Sequence, residues 1–341
     1  MKMKQNKITS IFLILIIAFS FFTIYVNFSS HRSSIVQTIM TEDLNNKDYT
    51  QDAFSYFNSL NSDLPNLSFT AIPIKGLMSR YYRFKGDYTK ALELLDQSMM
   101  DNPYIKFNES EKAEIYSILK VRDSFVYYAK AAFDGLPKNQ RHWTQYNKAL
   151  MADYDTLGLD NAFEKVKNSS NSFFRLVYLT SNITINRRSE KVKDIARESI
   201  DLFPDAEEVK LVADYLIYGK ENVELAIKLA KEAESFFQTG VYDLSSKNYL
   251  EAANLNPGDI SHKENAAFSL FREKKYQQSE TLFLEVIESG LTDNGKAEYL
   301  LASLYEETNK MDLACDFINK SRVKNFPLAF EVSARVCSKL E

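Results

Sequence analysis

Few residues of this 341-residue chain are spaced as catalytic groups are. Its three histidines, His31, His142 and His262, stand far apart, and none belongs to a metal-binding or nucleophile-activating motif. Carboxylate pairs such as Glu221 and Glu224 occur, but general acid–base catalysis needs two carboxyls whose surroundings push their pKa values apart. Solvated helix faces explain such pairs more simply, and the sequence contains no glycine-rich phosphate loop. We therefore predict no catalytic residues, no cofactor and no metal site, and we expect that the protein is not an enzyme.

The two cysteines, Cys315 and Cys337, lie near the C-terminus without the Cys-x-x-Cys spacing of a zinc site. In an oxidising compartment, one disulfide between them would tie the last helices together. A free cysteine is commonly buried as a small apolar side chain, and this second interpretation is the one that the sequence favours.

The charge balance excludes one class of partner. With 42 basic and 46 acidic residues, the formal net charge is −4, and no stretch concentrates Lys and Arg as a nucleic-acid footprint does. We therefore expect no nucleic-acid partner.

Composition indicates that long helices position whatever binding residues the chain has. Hydrophobic residues make up 45% of the sequence, whereas 9 Gly and 7 Pro leave few turns, which fits an all-helical chain better than a sheet protein. The clearest helices fall within Ala71–Ile105. There, amphipathic helices over Pro73–Lys85 and Tyr88–Asp101 flank the turn Gly86-Asp87.

The order of residue types in this stretch resembles the 34-residue tetratricopeptide repeat (TPR) family. Small residues fall where two helix backbones would cross, bulky residues fill the gaps between crossings, and a proline ends the pair. Counted with Ile72 as position 1, the matching residues are Ser79 at 8, Tyr82 at 11, Tyr88 at 17, Ala91 at 20, Leu95 at 24, Ser98 at 27 and Pro103 at 32.

Further units follow at the same period. Pro103 and Pro137 stand 34 residues apart, and Trp143 falls at the tryptophan position of the family pattern. The other residues that the resemblance assigns to repeat positions are Ala233, Tyr242, Pro257, Ala302 and Ala314. A degenerate first unit over Ser33–Asn66 would turn at Asn46–Tyr49. The resemblance implies an all-α, right-handed α-solenoid of TPR-like helix pairs.

The N-terminus carries a predicted membrane segment. Residues 1–7 hold three lysines and no acid, and the uncharged run Ile8–Phe28 follows. At about 1.5 Å per residue, a helix of that length spans roughly 30 Å, the thickness of a bilayer core. The lysines favour a cytoplasmic N-terminus, with the repeats on the extracytoplasmic, periplasmic side. A cleaved signal peptide is the alternative, but the long apolar run without an Ala-x-Ala-like site favours an uncleaved, single-pass anchor.

An extra helix interrupts the repeats. Pro204 and Pro257 are 53 residues apart, which is one repeat plus about 19 residues, so we expect an unpaired helix over Ala206–Tyr218 and a kink near Gly219. The predicted order of segments is cytoplasmic residues 1–7, transmembrane anchor 8–28, N-terminal TPR-like array 29–205, extra helix or kink 206–225, C-terminal TPR array 226–328 and capping helix 329–341.

In repeats of this family the inner face of the first helices usually binds the ligand, and the resemblance places candidate binding residues there. They are Arg80, Arg83, Phe84, Arg141 and Lys148. The four basic side chains would attract a carboxylate, an acidic peptide or a charged glycan, unless they are simply solvated. His142 could contact such a ligand, although we favour a surface position at a helix end. The Lys/Asn pair with which some TPR proteins clamp a C-terminal carboxylate is absent.

These observations lead to three hypotheses about function. The first is a membrane-tethered TPR scaffold that mediates protein–protein interactions, in bacterial envelope assembly. The second is a periplasmic ancillary chaperone, and the third is a glycan-binding or polysaccharide-export accessory protein. The inner-face aromatics that a chaperone would use are Phe84, Phe107, Phe174, Phe237, Phe268 and Phe271.

Overall fold

The computed structural model describes residues 2–46, 63–291 and 294–338, and its regular structure is helical apart from one isolated bridge between Leu67 and Pro73. The helices divide into two compact units, Met1–Ile185 (unit 1) and Asn186–Glu341 (unit 2). The predicted all-α architecture, with helix pairs behind one apolar N-terminal helix, is confirmed. The turn expected at Asn46–Tyr49 lies outside the described residues from position 47 onward.

Unit 1 begins with one long helix and continues with short helices joined by tight turns. Its helices are α1 (Lys2–Asn46), α2 (Ile74–Phe84), α3 (Tyr88–Gln97), α4 (Phe107–Ile118), α5 (Arg122–Gly135), α6 (Gln140–Ala152), α7 (Thr156–Glu164) and α8 (Phe173–Thr184). The pairs are α2 with α3, α4 with α5 and α6 with α7, and the first helices of successive pairs also contact one another. This stacking places α4 between α2 and α6.

Unit 2 follows the same plan after an irregular start. Its helices are α9 (Glu190–Leu202), α10 (Glu207–Asp214), a π-helical turn (Tyr215–Gly219), α11 (Lys220–Gln238), α12 (Tyr242–Leu255), α13 (Ile260–Arg272), α14 (Tyr276–Ser289), α15 (Lys296–Glu307), α16 (Met311–Val323) and α17 (Pro327–Cys337). Here α11 pairs with α12, α13 with α14 and α15 with α16, and α17 packs on α16.

A left-handed backbone residue closes the first helix of each pair at a regular interval. In unit 1 these residues are Gly86, Lys120 and Tyr154, each 34 residues from the next, and in unit 2 Gly240 and Lys274 show the same spacing. Residues other than glycine rarely adopt this left-handed backbone conformation. Its recurrence at Lys120 and Tyr154 therefore reflects a turn geometry that the helix pair imposes.

Small buried residues lie where helices cross. Ala91 of α3 is fully buried, and a Cβ atom added to Gly76 of α2 would lie 2.8 Å from the Phe107 ring of α4. Trp143 of α6 is also fully buried, and its indole nitrogen donates a hydrogen bond to the Phe174 carbonyl at 3.2 Å. Of the other repeat positions, Ala233, Ala302 and Ala314 are buried, Tyr88, Pro103, Pro137 and Tyr242 are partly buried, and Pro257 is exposed.

The helix α1 joins the apolar N-terminal segment to the core of unit 1 without a break. Ile11–Met40 is long and apolar enough to cross a membrane, and the first half of this segment is exposed. Farther along the same helix, Val36 and Met40 are buried against α2. Tyr81 of α2 donates a hydrogen bond to the Asp43 carboxylate at 3.1 Å. The last turns of α1 therefore belong to the core of unit 1.

The region of the expected extra helix contains α10 and the π-helical turn. Gly219 has φ +100°, outside the helical range, so the backbone is interrupted where α11 begins. The Arg188 side chain donates to the carbonyl oxygens of Leu216 at 3.0 Å and Ile217 at 3.4 Å. These bonds hold the Arg188 guanidinium against the carbonyl oxygens of the π-helical turn.

The cysteines correct one expectation. Cys315 and Cys337 form a disulfide between α16 and α17, so they are not two free buried thiols. The physical reason is that α17 folds back onto α16 and brings the two Cα atoms within 5.0 Å, inside the range that a disulfide bridges.

Candidate binding site in unit 1

The arginines predicted for unit 1 converge on one buried carboxylate. Glu111 of α4 is completely buried. Arg80 of α2 donates through Nε to Glu111 Oε1 at 2.6 Å, and Arg141 of α6 donates through Nη1 to the same oxygen at 2.6 Å. The Nε atom of Arg83 lies 3.5 Å from Glu111 Oε2. Glu111 thus holds side chains from the helices on both sides of α4.

Local sequence explains why these side chains reach Glu111. Arg80 and Arg83 are three residues apart in α2 and share a face of that helix. At the start of α6, the Asn139 side chain accepts hydrogen bonds from the backbone nitrogens of Arg141 at 3.0 Å and His142 at 3.2 Å. This cap fixes the first turn of α6, and the first turn carries Arg141.

The charges of the cluster favour an ionised Glu111. Burial by itself would raise the pKa of Glu111, but Arg141, Arg80 and Arg83 outweigh that effect and hold the pKa below its ordinary value. Glu114, also on α4, adds a second carboxylate close enough to act on Arg141. With these groups ionised, three guanidiniums and two carboxylates leave the cluster with a net positive charge.

A cavity of about 290 Å³, which we name the arginine cavity, opens beside this cluster. It is lined by Thr70, Ile72, Arg80, Ile105, Phe107, Ser110, Asn139, Arg141 and His142. The Arg80 guanidinium lies over the Phe107 ring, 4.7 Å from its centroid. The guanidinium nitrogens of Arg80 and Arg141 that do not bond Glu111 make no hydrogen bond within the part of the chain that the structure describes. They are the donors that the cavity offers to an anion.

His142 is buried, which corrects the expectation of a surface position at a helix end. Its side chain lies beside the end of α5, near the backbone of Ala132 and Leu136, and is only 3% exposed. Nδ1 has no hydrogen-bond partner among the described residues. Burial, assisted by the charge of Arg141, lowers the pKa of His142 to about 4. The imidazole is therefore neutral at pH 7 and adds no charge to the cavity.

Three of the five predicted binding residues, Arg83, Phe84 and Lys148, do not line the arginine cavity. Lys148 is exposed farther along α6 and forms no ion pair with any residue that the structure describes. Phe84 ends α2 at 47% exposure, with the Arg83 guanidinium 4.8 Å from its ring centroid. The structure thus brings together Arg80, Arg83 and Arg141 at Glu111.

The other aromatic residues of the chaperone hypothesis are largely packed. Phe107 and Phe174 in unit 1 are buried. In unit 2, the Phe268 ring lies between the tilted rings of Phe237 and Phe271, with centroids 5.1 Å and 6.3 Å away, and all three residues are partly buried. Among the six residues of this hypothesis only Phe84 is exposed, which counts against an extended apolar surface for an unfolded chain.

Sequence reasoning missed Glu111 and Asn139. Asn139 had a usable signal, because Asn two residues after Pro137 and directly before a helix is a strong N-cap candidate. Glu111 had none, since Glu109 and Glu114 on the same helix look alike in the sequence.

No protein-family model and no curated protein matches this sequence. Among solved structures, the TPR domain of P58(IPK) is similar at 14% identity and a TM-score of 0.42, over 90% of this chain and 98% of that one. A TPR protein from Parabacteroides merdae is similar at 14% identity and a TM-score of 0.35, over 76% and 95%. The TPR2AB domain of yeast Sti1, solved in complex with pHSP90, is similar at 16% identity and a TM-score of 0.31, over 70% and 98%.

The chain's own geometry decides its architecture. Its helices form successive pairs, left-handed residues close the first helices at intervals of 34 or 35 residues within each unit, and small residues lie at the crossings. These features are those of the TPR pattern found in the sequence. The described part of the chain is an α-helical repeat protein whose helix pairs resemble TPR units.

Proposed function

We propose that this protein is a membrane-tethered TPR-type scaffold that binds an acidic segment of a partner protein in the arginine cavity. The observation that carries this proposal is the arrangement around Glu111. The buried carboxylate occupies one nitrogen of Arg80 and one of Arg141 and leaves their other donors at the cavity. Because the guanidiniums are held before a ligand arrives, binding requires little further ordering of side chains.

A carboxylate is the ligand group that fits these donors best. Guanidinium and carboxylate are both planar and pair through two parallel hydrogen bonds, and neighbouring polar side chains add weaker contacts. Ser110 and Thr70 supply hydroxyl groups at the cavity wall, while Ile72 and Phe107 supply apolar surface for the stem of an aspartate or glutamate. An acidic peptide uses both kinds of surface.

The tether of this proposal is the apolar part of α1. Its exposed side chains suit contact with lipid, and the hydroxyls of Ser20 and Thr23 donate to the carbonyls of Ile16 and Phe19 four residues earlier, at 2.9 Å and 2.8 Å. Polar groups satisfied within the helix lower the cost of placing it in a bilayer. The N-terminal lysines favour an extracytoplasmic location for the repeats.

The disulfide supports the same side of the membrane. Disulfides persist in extracytoplasmic compartments and are rare in the cytosol of most cells. The Cys315–Cys337 bond is therefore consistent with a periplasmic unit 2 in a bacterial envelope. A tether of this kind raises the effective concentration of weakly bound partners at the membrane without any new contact, as an envelope-assembly scaffold requires.

The two alternative functions differ in what they need from the structure. A chaperone needs exposed apolar surface, and the packed aromatics count against it. An acidic glycan would use the same arginines as an acidic peptide, so this alternative becomes an outcome of the test.

The experiment is site-specific photocrosslinking in native membranes. A photoreactive residue replaces Thr70 at the cavity, or exposed Lys138 outside the cluster as a position control. We expect a small, reproducible set of envelope proteins crosslinked through acidic segments at position 70. Arg80→Gln together with Arg141→Gln should remove these products.

Arg122→Gln is the matched control, because it changes the same residue type in an exposed pair with Asp153 away from the cavity. Crosslinks that persist in the double variant would contradict recognition by the arginine cavity. Crosslinking to many unfolded proteins would favour the chaperone, and labelling of acidic polysaccharide alone would favour the glycan-binding role.

A further inference from the structure

A second cavity, in unit 2, has the opposite chemical character. It encloses about 320 Å³ between α10, α11 and the turn that joins α12 to α13, and we name it the acceptor cavity. Its lining residues are Glu207, Glu208, Lys210, Leu211, Asp214, Val223, Ile227, Asn256 and Asp259. The volume is at the lower end of the range for small-ligand sites.

Two buried side chains of this cavity carry oxygen atoms without a donor. Asp214 and Asn256 are each only 3% exposed. The Asn256 amide donates to Asp214 Oδ2 at 3.2 Å, but Asp214 Oδ1 and Asn256 Oδ1 have no hydrogen-bond partner among the described residues. Leaving a buried acceptor unpaired costs more than the bond itself contributes when formed. Both atoms can therefore accept a hydrogen bond from a donor that enters the cavity.

The backbone at Gly258 lies very close to the Asp214 side chain. Asp214 is the last residue of α10, directly before the π-helical turn, a feature that occurs often at functional sites. A Cβ atom on Gly258 would lie 3.0 Å from Asp214 Oδ1 and 2.8 Å from the Tyr218 ring. Any larger residue at position 258 would crowd the space beside the unpaired oxygen.

The surrounding charges favour a cation. Glu207, Glu208, Asp214 and Asp259 line the cavity together with one basic residue, Lys210. Asp259 is already engaged, since its Oδ1 accepts hydrogen bonds from the Ser261 backbone and hydroxyl at 3.1 Å and 2.6 Å. Asp214 is thus the buried carboxylate that remains for a ligand. Leu211, Val223 and Ile227, which also line the cavity, provide apolar surface.

We propose that the acceptor cavity binds an alkylammonium group, carried either by a lysine side chain of a partner polypeptide or by a free small amine. The ammonium donates to Asp214 Oδ1 and Asn256 Oδ1, and its alkyl stem packs on Leu211, Val223 and Ile227. An ammonium has three donors and no acceptor, which suits the two unpaired oxygens, Asp214 Oδ1 and Asn256 Oδ1. A carboxylate or phosphate would be repelled by the acidic rim.

The test uses the full-length protein in lipid nanodiscs, with ¹³C-labelled methyl groups on Ile, Leu and Val. The probe is n-butylammonium chloride, titrated at constant ionic strength, and n-butanol serves as the neutral molecule of the same shape. We expect saturable shifts of the Leu211, Val223 and Ile227 methyl signals with the ammonium and none with the alcohol. Asp214→Asn keeps the shape of the side chain and should weaken binding about tenfold or more.

The matched control is Asp243→Asn, the same substitution at an exposed position of α12, which should change the affinity less than about twofold. The methyl spectrum of each variant reports whether it is folded. Equal shifts with butanol, or unchanged binding in folded Asp214→Asn, would overturn the proposal. In a parallel titration, tighter binding of Nα-acetyl-lysine N-methylamide than of butylammonium would identify a polypeptide lysine as the ligand. Weaker binding of the lysine derivative would identify a free amine.

Discussion

At the scale of single residues, Glu111 alone positions arginine side chains from two neighbouring helices. It is the only group that Arg80 and Arg141 both bond in the described structure, and it also faces Arg83. A buried acid among several guanidiniums fixes their positions and lowers their mutual repulsion. Its removal should therefore affect both stability and ligand binding.

We predict that Glu111→Gln lowers the free energy of unfolding by roughly 3 kcal/mol, because it leaves partly buried arginines without their counter-charge. The measurement is chemical denaturation of the full chain in detergent. Glu93→Gln, in an exposed ion pair with Lys90, should cost well under about 1 kcal/mol. Equal effects of the two substitutions would mean that the Glu111 cluster contributes no more than a surface pair.

His142 should make stability fall on mild acidification. Its folded pKa of about 4 lies below the ordinary value of 6.5, so between these values the unfolded state binds more protons. Stability from this residue is complete above pH 6.5 and is lost as the pH falls towards 4. We expect a loss of about 2 kcal/mol between pH 7 and pH 5.

The check on His142 is denaturation at both pH values for the wild type and for His142→Gln. The variant should lose much less stability over this interval. Some dependence of stability on pH should remain, because the pKa of His262 is also lowered by burial. A pH dependence identical to that of the wild type would show that His142 protonates as freely in the folded state as in the unfolded state.

The residue-scale site was only partly predictable. Arg80, Arg83 and Arg141 followed from helical position, because the repeat frame fixes which residues of each first helix share a face. Glu111 and the burial of His142 depend on contacts between helices that are about 30 residues apart in sequence. Local pattern does not contain that information.

At the scale of helices, the crossings tolerate only small side chains. We predict that Ala91→Trp, or Ala302→Trp, lowers the free energy of unfolding by roughly 1–3 kcal/mol or more, because both alanines are buried in well-packed crossings. Thermal melting in detergent measures the effect. Ala152→Trp, at the exposed end of α6, is the control and should be nearly neutral. Unchanged melting of both core variants would contradict the repeat frame.

The disulfide ties the last two helices of unit 2. Because it joins residues 22 apart, its loss should cost about 3 kcal/mol by the loop-closure relation. We expect faster hydrogen exchange in α17 after the double substitution Cys315→Ala and Cys337→Ala. Reductant should reproduce this change in the wild type and do nothing to the variant. Equal protection with and without the bond would mean that apolar packing alone holds α17 in place.

Helices were more predictable from the sequence than their joints. The expected helix over Pro73–Lys85 corresponds to Ile74–Phe84, because its apolar spacing and the Gly86 turn are local signals. The unbroken helix α1 was not foreseen, because its last turns pack against α2 through Val36 and Met40. A kink was expected near Gly219, but the π-helical turn that ends there was not.

At the scale of the whole molecule, the proposed topology rests on the charge asymmetry of the N-terminus. We predict that protease added outside spheroplasts digests the repeats of the wild type. Replacing Lys2, Lys4 and Lys7 by Asn should leave a larger protected fraction, because the positive charges that hold the N-terminus inside are gone. Complete protection of the wild type would place the repeats in the cytoplasm. Release of the wild type by alkaline extraction would argue against an uncleaved anchor.

Because α1 has no flexible joint between its apolar turns and those packed at Val36 and Met40, the direction in which unit 1 faces is a matter of helical phase. Each residue turns an α-helix by about 100° and advances it by about 1.5 Å. In the proposed topology, one residue added between Phe21 and Tyr25 would leave every packed contact of unit 1 in place. It would nevertheless rotate the arginine cavity by more than a quarter of a circle around the helix axis. A partner fixed in the same bilayer would then meet a different face of unit 1. The number of residues in the anchor therefore sets the direction in which unit 1 faces as well as its distance from the membrane.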